Sequence, residues 1–240
     1  MFPFEKFIRE RLTEKRFRHS VNVARAARWL AFKYDANEEK AVIAGMLHDI
    51  TKEWKVHEHM AFLHNYNIGV TSYEYSSKKL FHSITGACFV NIILKIPDMD
   101  IFNAIRFHTT ARAGMSKLEK IVYLADFISE DRCFGGVDKL RALASFNLND
   151  AVFAGLSDSI QELSHNNKII HPNTLNAYNE HILVNEKEKS LQIGEYYISK
   201  CLSTKSLKKS VFIYIIAKTT ACQACKLDTA AGNRNFKGGE

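Results

Sequence analysis

An all-α fold, a bundle of packed helices, is predicted by three observations on these 240 residues. Apolar residues recur at three- and four-residue steps through the first 188 positions, the period of a helix with one buried face. Strand-like runs are scarce over the same stretch. Only three Pro and eleven Gly interrupt the chain, and a hydrophobic content of 46% supplies one sizeable core.

The first element is read from Val23, Ala24, Ala27, Leu30, Ala31 and Tyr34, which form one buried stripe. A second helix is predicted from Glu38 through Asp49, a third around His82 to Lys95, a fourth around Ile101 to His108, and a fifth from Ser116 to Ser129. Ser116 followed three residues later by Glu119 has the form of a capping box for the fifth. Pro97 and the Gly135-Gly136 pair punctuate the loops. A further helix is expected from Asp150 to Leu163, and a shorter one after Pro172.

After about Asn185 the composition becomes Lys-rich, passes through the strand-like run VFIYIIA and ends in AAGNRNFKGGE. Residues 1–187 are therefore read as the domain and 188–240 as a basic, disordered extension. Residues 189–240 hold nine Lys or Arg against three Asp or Glu, a charge of +6. The first 188 keep 24 basic against 23 acidic residues, +1 of the formal +7. A nearly neutral body argues against a nucleic-acid footprint on the folded domain and leaves that role open only for the tail. The longest apolar run, Val211–Ala217, is seven residues, against about 20 for a membrane-spanning helix. The N-terminus MFPFEKFIRERLTEKRFRH lacks the apolar core of a secretory signal. Five Cys, at 88, 133, 201, 222 and 225, do not make a disulfide framework, and the expectation is a cytoplasmic protein. Cys222 and Cys225 have redox or zinc spacing without a second pair nearby.

Chemistry is concentrated in polar residues that stand where a helix interior should be apolar: His19, His48, Asp49, His82, His108 and Asp126. His48-Asp49 ends the run AVIAGMLHD, and Asp126 lies inside IVYLADFI. A charge at such positions needs a partner. A metal neutralises carboxylates and satisfies imidazole nitrogens together, and a mixed nitrogen and oxygen set suits iron, manganese, cobalt or zinc. Cations accompany these positions at helical spacing: Arg16 is three before His19, Lys52 four after His48, and Arg112 four after His108 if that helix continues so far. Such cations suit a polyanionic substrate such as a phosphate chain.

The segments RHSVNVARAA, GMLHDITKEW, HSITGA, IRFHTTARAGMSKLEKIVYLADFISEDR and FGGVDKLRALA resemble the HD-domain hydrolases of the YqeK type, the symmetrical diadenosine tetraphosphate hydrolases of bacteria. The likeness runs from about residue 1 to 187 and includes both the H…HD…D signature and the longer HTT-R-x-x-M-S-x-L-E-K-I-x-Y-L-A-D string. It implies an HD-domain bundle with a metal site between helices, holding a divalent or trivalent transition metal, iron first. His19, His48, Asp49 and Asp126 would be its ligands, with His82 and His108 on the open side, contacting phosphate or completing a second metal position. Arg16, Lys52 and Arg132 would hold phosphate oxygens, with Arg112 beside them, and Pro172 and Thr174 of the HPNT stretch would help cover the nucleotide. Asp49, Lys52, His82 and His108 would carry the catalysis of a small-molecule nucleotide substrate. Two departures from the family pattern are Ala111, where glycine is usual, and Ser129-Glu130-Asp131 in place of Glu-Pro. The residues alone leave open an HD phosphohydrolase acting on a mononucleotide or guanosine alarmone, and a non-catalytic nucleotide-binding module. They leave a homodimer open as well.

Overall fold

The computed structural model describes residues 2–203, and among these every regular element is helical. The all-α expectation holds. The helices are α1 (Glu5–Arg9), α2 (Glu14–Lys33), α3 (Glu38–Leu47), α4 (Val56–Asn65), α5 (Ser72–Ser76), α6 (Phe81–Cys88), α7 (Met99–Arg106), α8 (Lys117–Ile128), α9 (Val137–Ala144), α10 (Leu148–His165) and α11 (Pro172–Ser203).

The centre of the bundle is α2, which packs against α3 and α8. Its stripe of Val23, Ala24, Ala27, Leu30 and Ala31 is buried throughout, and the small side chains let α3 approach closely. Gly45 of α3 marks the crossing: a Cβ built there would lie 2.9 Å from the Ala24 Cα and 3.1 Å from its nitrogen. Only glycine fits between two backbones at that distance. Around this contact Leu30, Met46, Leu47, Ile105, Ile121 and Leu124 are almost wholly buried, each contributing about 2 kcal/mol of apolar burial.

Caps set the helix starts. Thr13 opens α2, its hydroxyl accepting from the Arg16 amide, and Asn37 opens α3 with its carbonyl oxygen 2.9 Å from the Lys40 nitrogen. The Ser116/Glu119 capping box is present at α8, each side chain accepting from the other residue's amide at 3.2 Å.

Several boundaries differ from the sequence reading. The helix expected over 82–95 is α6 followed by a π-helical turn, Phe89–Ile93, in which the Leu94 amide donates to the Phe89 carbonyl five residues back. The fourth helix ends at Arg106, so His108 sits in the turn after α7. The helix after Pro172 is not short: α11 runs 32 residues. The first compact unit ends at Ile182, and a second begins at Leu183, within α11. The Val211–Ala217 run and the Cys222 and Cys225 pair lie outside the described residues.

Candidate metal centre

Six polar side chains from five places in the chain converge on one point. His19 is on the second turn of α2, one turn after Arg16. His48 follows the last residue of α3 in right-handed helical geometry, with Asp49 next to it. His82 is on the first turn of α6, His108 follows α7, and Asp126 lies near the end of α8. The four histidines and Asp49 are buried, and Asp126 nearly so.

Potential ligand atoms fall into two overlapping groups, His19 with His48 and Asp126, and His48 with Asp49 and His108, the atoms of each group within 4.8 Å of one another. Asp49 is the hub. Its Oδ2 lies 3.4 Å from His48 Nε2 and 3.9 Å from His19 Nε2. Its Oδ1 lies 3.2 Å from His82 Nε2 and 3.6 Å from His108 Nε2. On the other side, Asp126 Oδ1 is 3.0 Å from His19 Nε2.

The second nitrogen of each imidazole is already committed. His48 Nδ1 lies 2.7 Å from the Gly45 carbonyl, His108 Nδ1 2.7 Å from the Ile105 carbonyl, and His82 Nδ1 2.6 Å from the Lys79 carbonyl. His19 Nδ1 lies 2.8 Å from Asp131 Oδ2. Carbonyl and carboxylate oxygens only accept, so Nδ1 carries the proton in each ring and the Nε2 lone pair faces inward. This is the arrangement that orients histidine ligands in metal sites. His82 and His108 then turn two Nε2 lone pairs toward each other across 3.1 Å. A cation relieves that repulsion, and the Lys52 ammonium, 3.0 Å from His82 Nε2, supplies part of it.

His19 Nε2, His48 Nε2 and Asp49 Oδ1 are buried and have no hydrogen-bond partner. Each such atom left unsatisfied costs about 1–3 kcal/mol, and one cation meets all three together. Three imidazole nitrogens and two carboxylates are the donors expected for a borderline divalent ion. The residues present fit a transition metal, and the cluster has the makeup of a divalent-metal site.

Electrostatics agree with that fit. Burial disfavours the Asp49 carboxylate, yet the surrounding imidazoles of His48, His108 and His82 outweigh it and hold the carboxyl well below the usual carboxylate range. For Asp126, burial is outweighed by His19, His48 and Arg132, and its pKa is lowered too. Both are anionic ligands at neutral pH. Burial, opposed by Asp49 and reinforced by His108 and Lys52, pushes His82 down to about 4. It is therefore a neutral imidazole. Lys52 is also lowered by burial, against the pull of Asp49 and Asp126.

Two of the cations read from the sequence buttress carboxylates. Arg16 Nη1 donates to Asp49 Oδ2 at 2.6 Å, and Arg132 grips both the carboxylate and the backbone carbonyl of Asp126, the latter at 2.7 Å. Lys52 Nζ is 3.7 Å from Asp49 Oδ1. Arg112 stands apart: because α7 ends at Arg106, it is not on the helical face of His108, and it forks onto buried Glu119 at 2.6 and 2.8 Å. Pro172 is the first residue of α11, and the Thr174 hydroxyl donates to the Thr110 carbonyl at 2.7 Å. Thr174 thus ties the start of α11 to the turn that carries His108. Ala111, in the same turn, takes the left-handed conformation at φ 55°, where glycine is at ease and alanine is strained.

Asp131 is the residue that sequence reasoning missed. It belonged to the Ser129-Glu130-Asp131 departure, and it proves to anchor His19 and to accept from Asn22 at 3.3 Å. Nothing local marked it, since it lies in the turn after α8 and not inside an apolar helical run.

Comparison with known proteins agrees with this geometry. Residues 16–131 match the HD domain family, a span bounded by the buttress Arg16 and the anchor Asp131. The chain is 37% identical over 178 residues, 74% of its length and 95% of the relative's, to the symmetrical bis(5'-nucleosyl)-tetraphosphatase of Halalkalibacterium halodurans. It is 34% identical over 172 residues, 72% of its length and 92% of the relative's, to the protein of the same name from Bacillus subtilis. A crystal structure from Clostridium acetobutylicum, described as a predicted HD superfamily hydrolase involved in NAD metabolism, superposes with a TM-score of 0.72 at 35% identity, covering 75% of this chain and 95% of that one. With the H…HD…D residues gathered on one buried point and likeness extending over nearly the whole length of these relatives, this chain belongs to the HD-domain family of symmetrical bis(5'-nucleosyl)-tetraphosphatases.

Proposed function

We propose that the chain hydrolyses dinucleoside tetraphosphates symmetrically, taking diadenosine tetraphosphate to two ADP at the histidine and aspartate cluster. The observation that carries this reading is the set of buried, partnerless atoms, His19 Nε2, His48 Nε2 and Asp49 Oδ1, gathered beside Asp126. His19, His48, Asp49 and Asp126 would hold the metal, with iron the ion favoured by the family resemblance. His82 and His108 would hold a second ion where one binds. A transition metal in such a site lowers the pKa of a water toward neutrality and polarises a phosphoryl oxygen.

The chain's own groups do the rest. Arg16 and Arg132 fix the two carboxylates, so the ligand set keeps its shape when a polyanion arrives. Lys52, a third exposed and held only by His82 and Asp49, is placed to take a phosphate oxygen and offset charge gathering there. With a single metal, the facing Nε2 lone pairs of His82 and His108 are placed to take the proton given up by the attacking water and to pass it to the leaving phosphate. Free Cys88 and Cys133 accord with a reducing compartment, and we place the reaction in the cytoplasm. No helix among the described residues is long and apolar enough to cross a membrane.

The test is product analysis by anion exchange after incubation with diadenosine tetraphosphate. ADP alone, lost with chelator and restored by iron or manganese, is expected. AMP with ATP, or release of orthophosphate, overturns the symmetrical reaction. Asp49→Ala should lose bound metal and turnover while its far-ultraviolet circular dichroism stays helical, and full turnover in that variant would remove Asp49 from the site.

A further inference from the structure

Between α8 and α9 the chain makes a turn that gives the cluster two of its supports. Asp131 takes the His19 ring at Nδ1 and Arg132 takes the Asp126 carboxylate, so the directions of two proposed ligands depend on where this backbone stands. Little in the turn itself fixes it. The Arg132 amide donates to the Ser129 carbonyl at 3.0 Å, but none of the side chains from 130 to 136 is buried, and Gly136 sits at φ 94°. A loop without buried side chains is held by its polar contacts alone.

The missing constraint comes from α9. Val137, Leu140 and Ala144 bury one face of that helix and fix it to the body. From this base Arg141 reaches back to the turn: its Nε donates to the Ile128 carbonyl at 3.1 Å, and its Nη2 to the Ser129 and Arg132 carbonyls at 2.8 and 2.9 Å. One guanidinium thus gathers the backbone on both sides of Asp131. Its charge also faces the last carbonyls of α8, where the helix dipole favours a cation. The remaining contact, Nη1 to Asp138 at 2.9 Å, involves a carboxylate 91% exposed and adds little. Lysine cannot copy this clamp, because its single ammonium lacks the flat fork that spans several acceptors.

We propose that Arg141 is a positioning residue of the metal centre: it touches no proposed ligand and fixes the turn from which Asp131 orients His19 and Arg132 orients Asp126. For the metal this rests on the proposed reading of the cluster and deepens it. The orientation of His19 is a claim about the metal-free chain as well.

The experiment uses Arg141→Ala, Arg141→Lys and Asp138→Ala in the full-length chain, with two readouts. In the first, manganese affinity is measured by competition with a coloured chelator. Arg141→Ala should bind about tenfold more weakly or worse, the scale of a lost outer partner of a metal ligand. Arg141→Lys should recover little of this, guanidinium added well below denaturing concentration should restore the alanine variant, and Asp138→Ala should match the wild type. In an Asp131→Ala background, removing Arg141 should weaken binding less than it does in the wild type, since both act on His19 along one path. The second readout is nitrogen-15 NMR of the metal-free chain. The His19 Nδ1 proton, held in its 2.8 Å contact with Asp131, should give a slowly exchanging ring N–H signal that both Arg141 variants lose and Asp138→Ala keeps. Wild-type affinity with an intact His19 signal in Arg141→Lys overturns the proposal, even where the alanine variant does not fold, and so does full additivity with Asp131→Ala. A wild-type chain that binds no manganese or iron refutes the metal centre instead, and the His19 signal then decides Arg141 by itself.

Discussion

Asp131 holds His19 from outside the ligand set, and removing its carboxylate should show how far ring orientation matters. Asp131→Ala leaves His19 Nδ1 without its acceptor, and metal affinity is expected to fall by about 10- to 100-fold. A competition titration with a coloured chelator measures this, and activity should return at saturating metal. A second residue-scale test uses Glu74, buried at the start of α5, where the Thr71 amide donates to it at 2.7 Å and Arg106 pairs with it. Burial works against its charge, but these partners hold its pKa below the ordinary value. A carboxyl lowered on folding stabilises the protein fully above the unfolded value of about 4.3 and loses that contribution as the pH falls through the folded one. Glu74→Gln should therefore be less stable than the wild type by about 2 kcal/mol at pH 7, with the gap closing toward pH 3 in urea denaturation. The buried cluster itself was legible in the sequence because His48-Asp49 and Asp126 interrupt apolar runs, a misplacement that needs a compensating partner. Asp131 and Glu74 were not legible, since a polar residue on a loop or in a helix cap looks the same whether or not it reaches a distant side chain.

Between α2 and α3 the spacing of two backbones sets the distance between His19 and His48. Gly45→Ala places a methyl carbon 2.9 Å from the Ala24 Cα, and the helices must part to admit it. The expected cost is about 2 kcal/mol, with weaker metal binding although no ligand is changed; denaturant unfolding and metal titration check the two effects separately. The helices that build this contact could be read from their period of 3.6. Those that could not, α1, α4, α5 and α9, are short and bury few residues. In α4 only His59 and Leu63 are buried, too little for a stripe to emerge. The length of α11 was misread for a related reason. Its later turns are rich in Lys and Glu, a composition that favours helix as readily as it suggests an unstructured tail. The end of α7 was missed because Phe107 and His108 continue the apolar pattern past the point where the backbone turns.

Taken as one body, the protein keeps a cluster of buried donors that the apo chain leaves partly unsatisfied, so metal and stability are linked. An ion present at 100 times its dissociation constant adds about 2.7 kcal/mol to the folded state, which for a unit of this size corresponds to roughly 5–10 °C in melting temperature. Scanning calorimetry with and without chelator should show that difference, and Asp49→Ala should abolish it. The order of the proposed ligands along the chain has a consequence for how the protein is made. His19, His48 and Asp49 leave the ribosome together with the α2–α3 pair, but Asp126 follows Asp49 by 77 residues. At about 5–20 residues per second, synthesis takes roughly 4 to 15 s to cover that interval. Until α8 docks on α2, a nascent chain offers an ion three of the proposed ligands and no closed site, so under that assignment the metal would be acquired by the nearly finished protein. With that ligand set, the ion installed would be decided by the metal pool that the folded chain meets rather than by the order of synthesis.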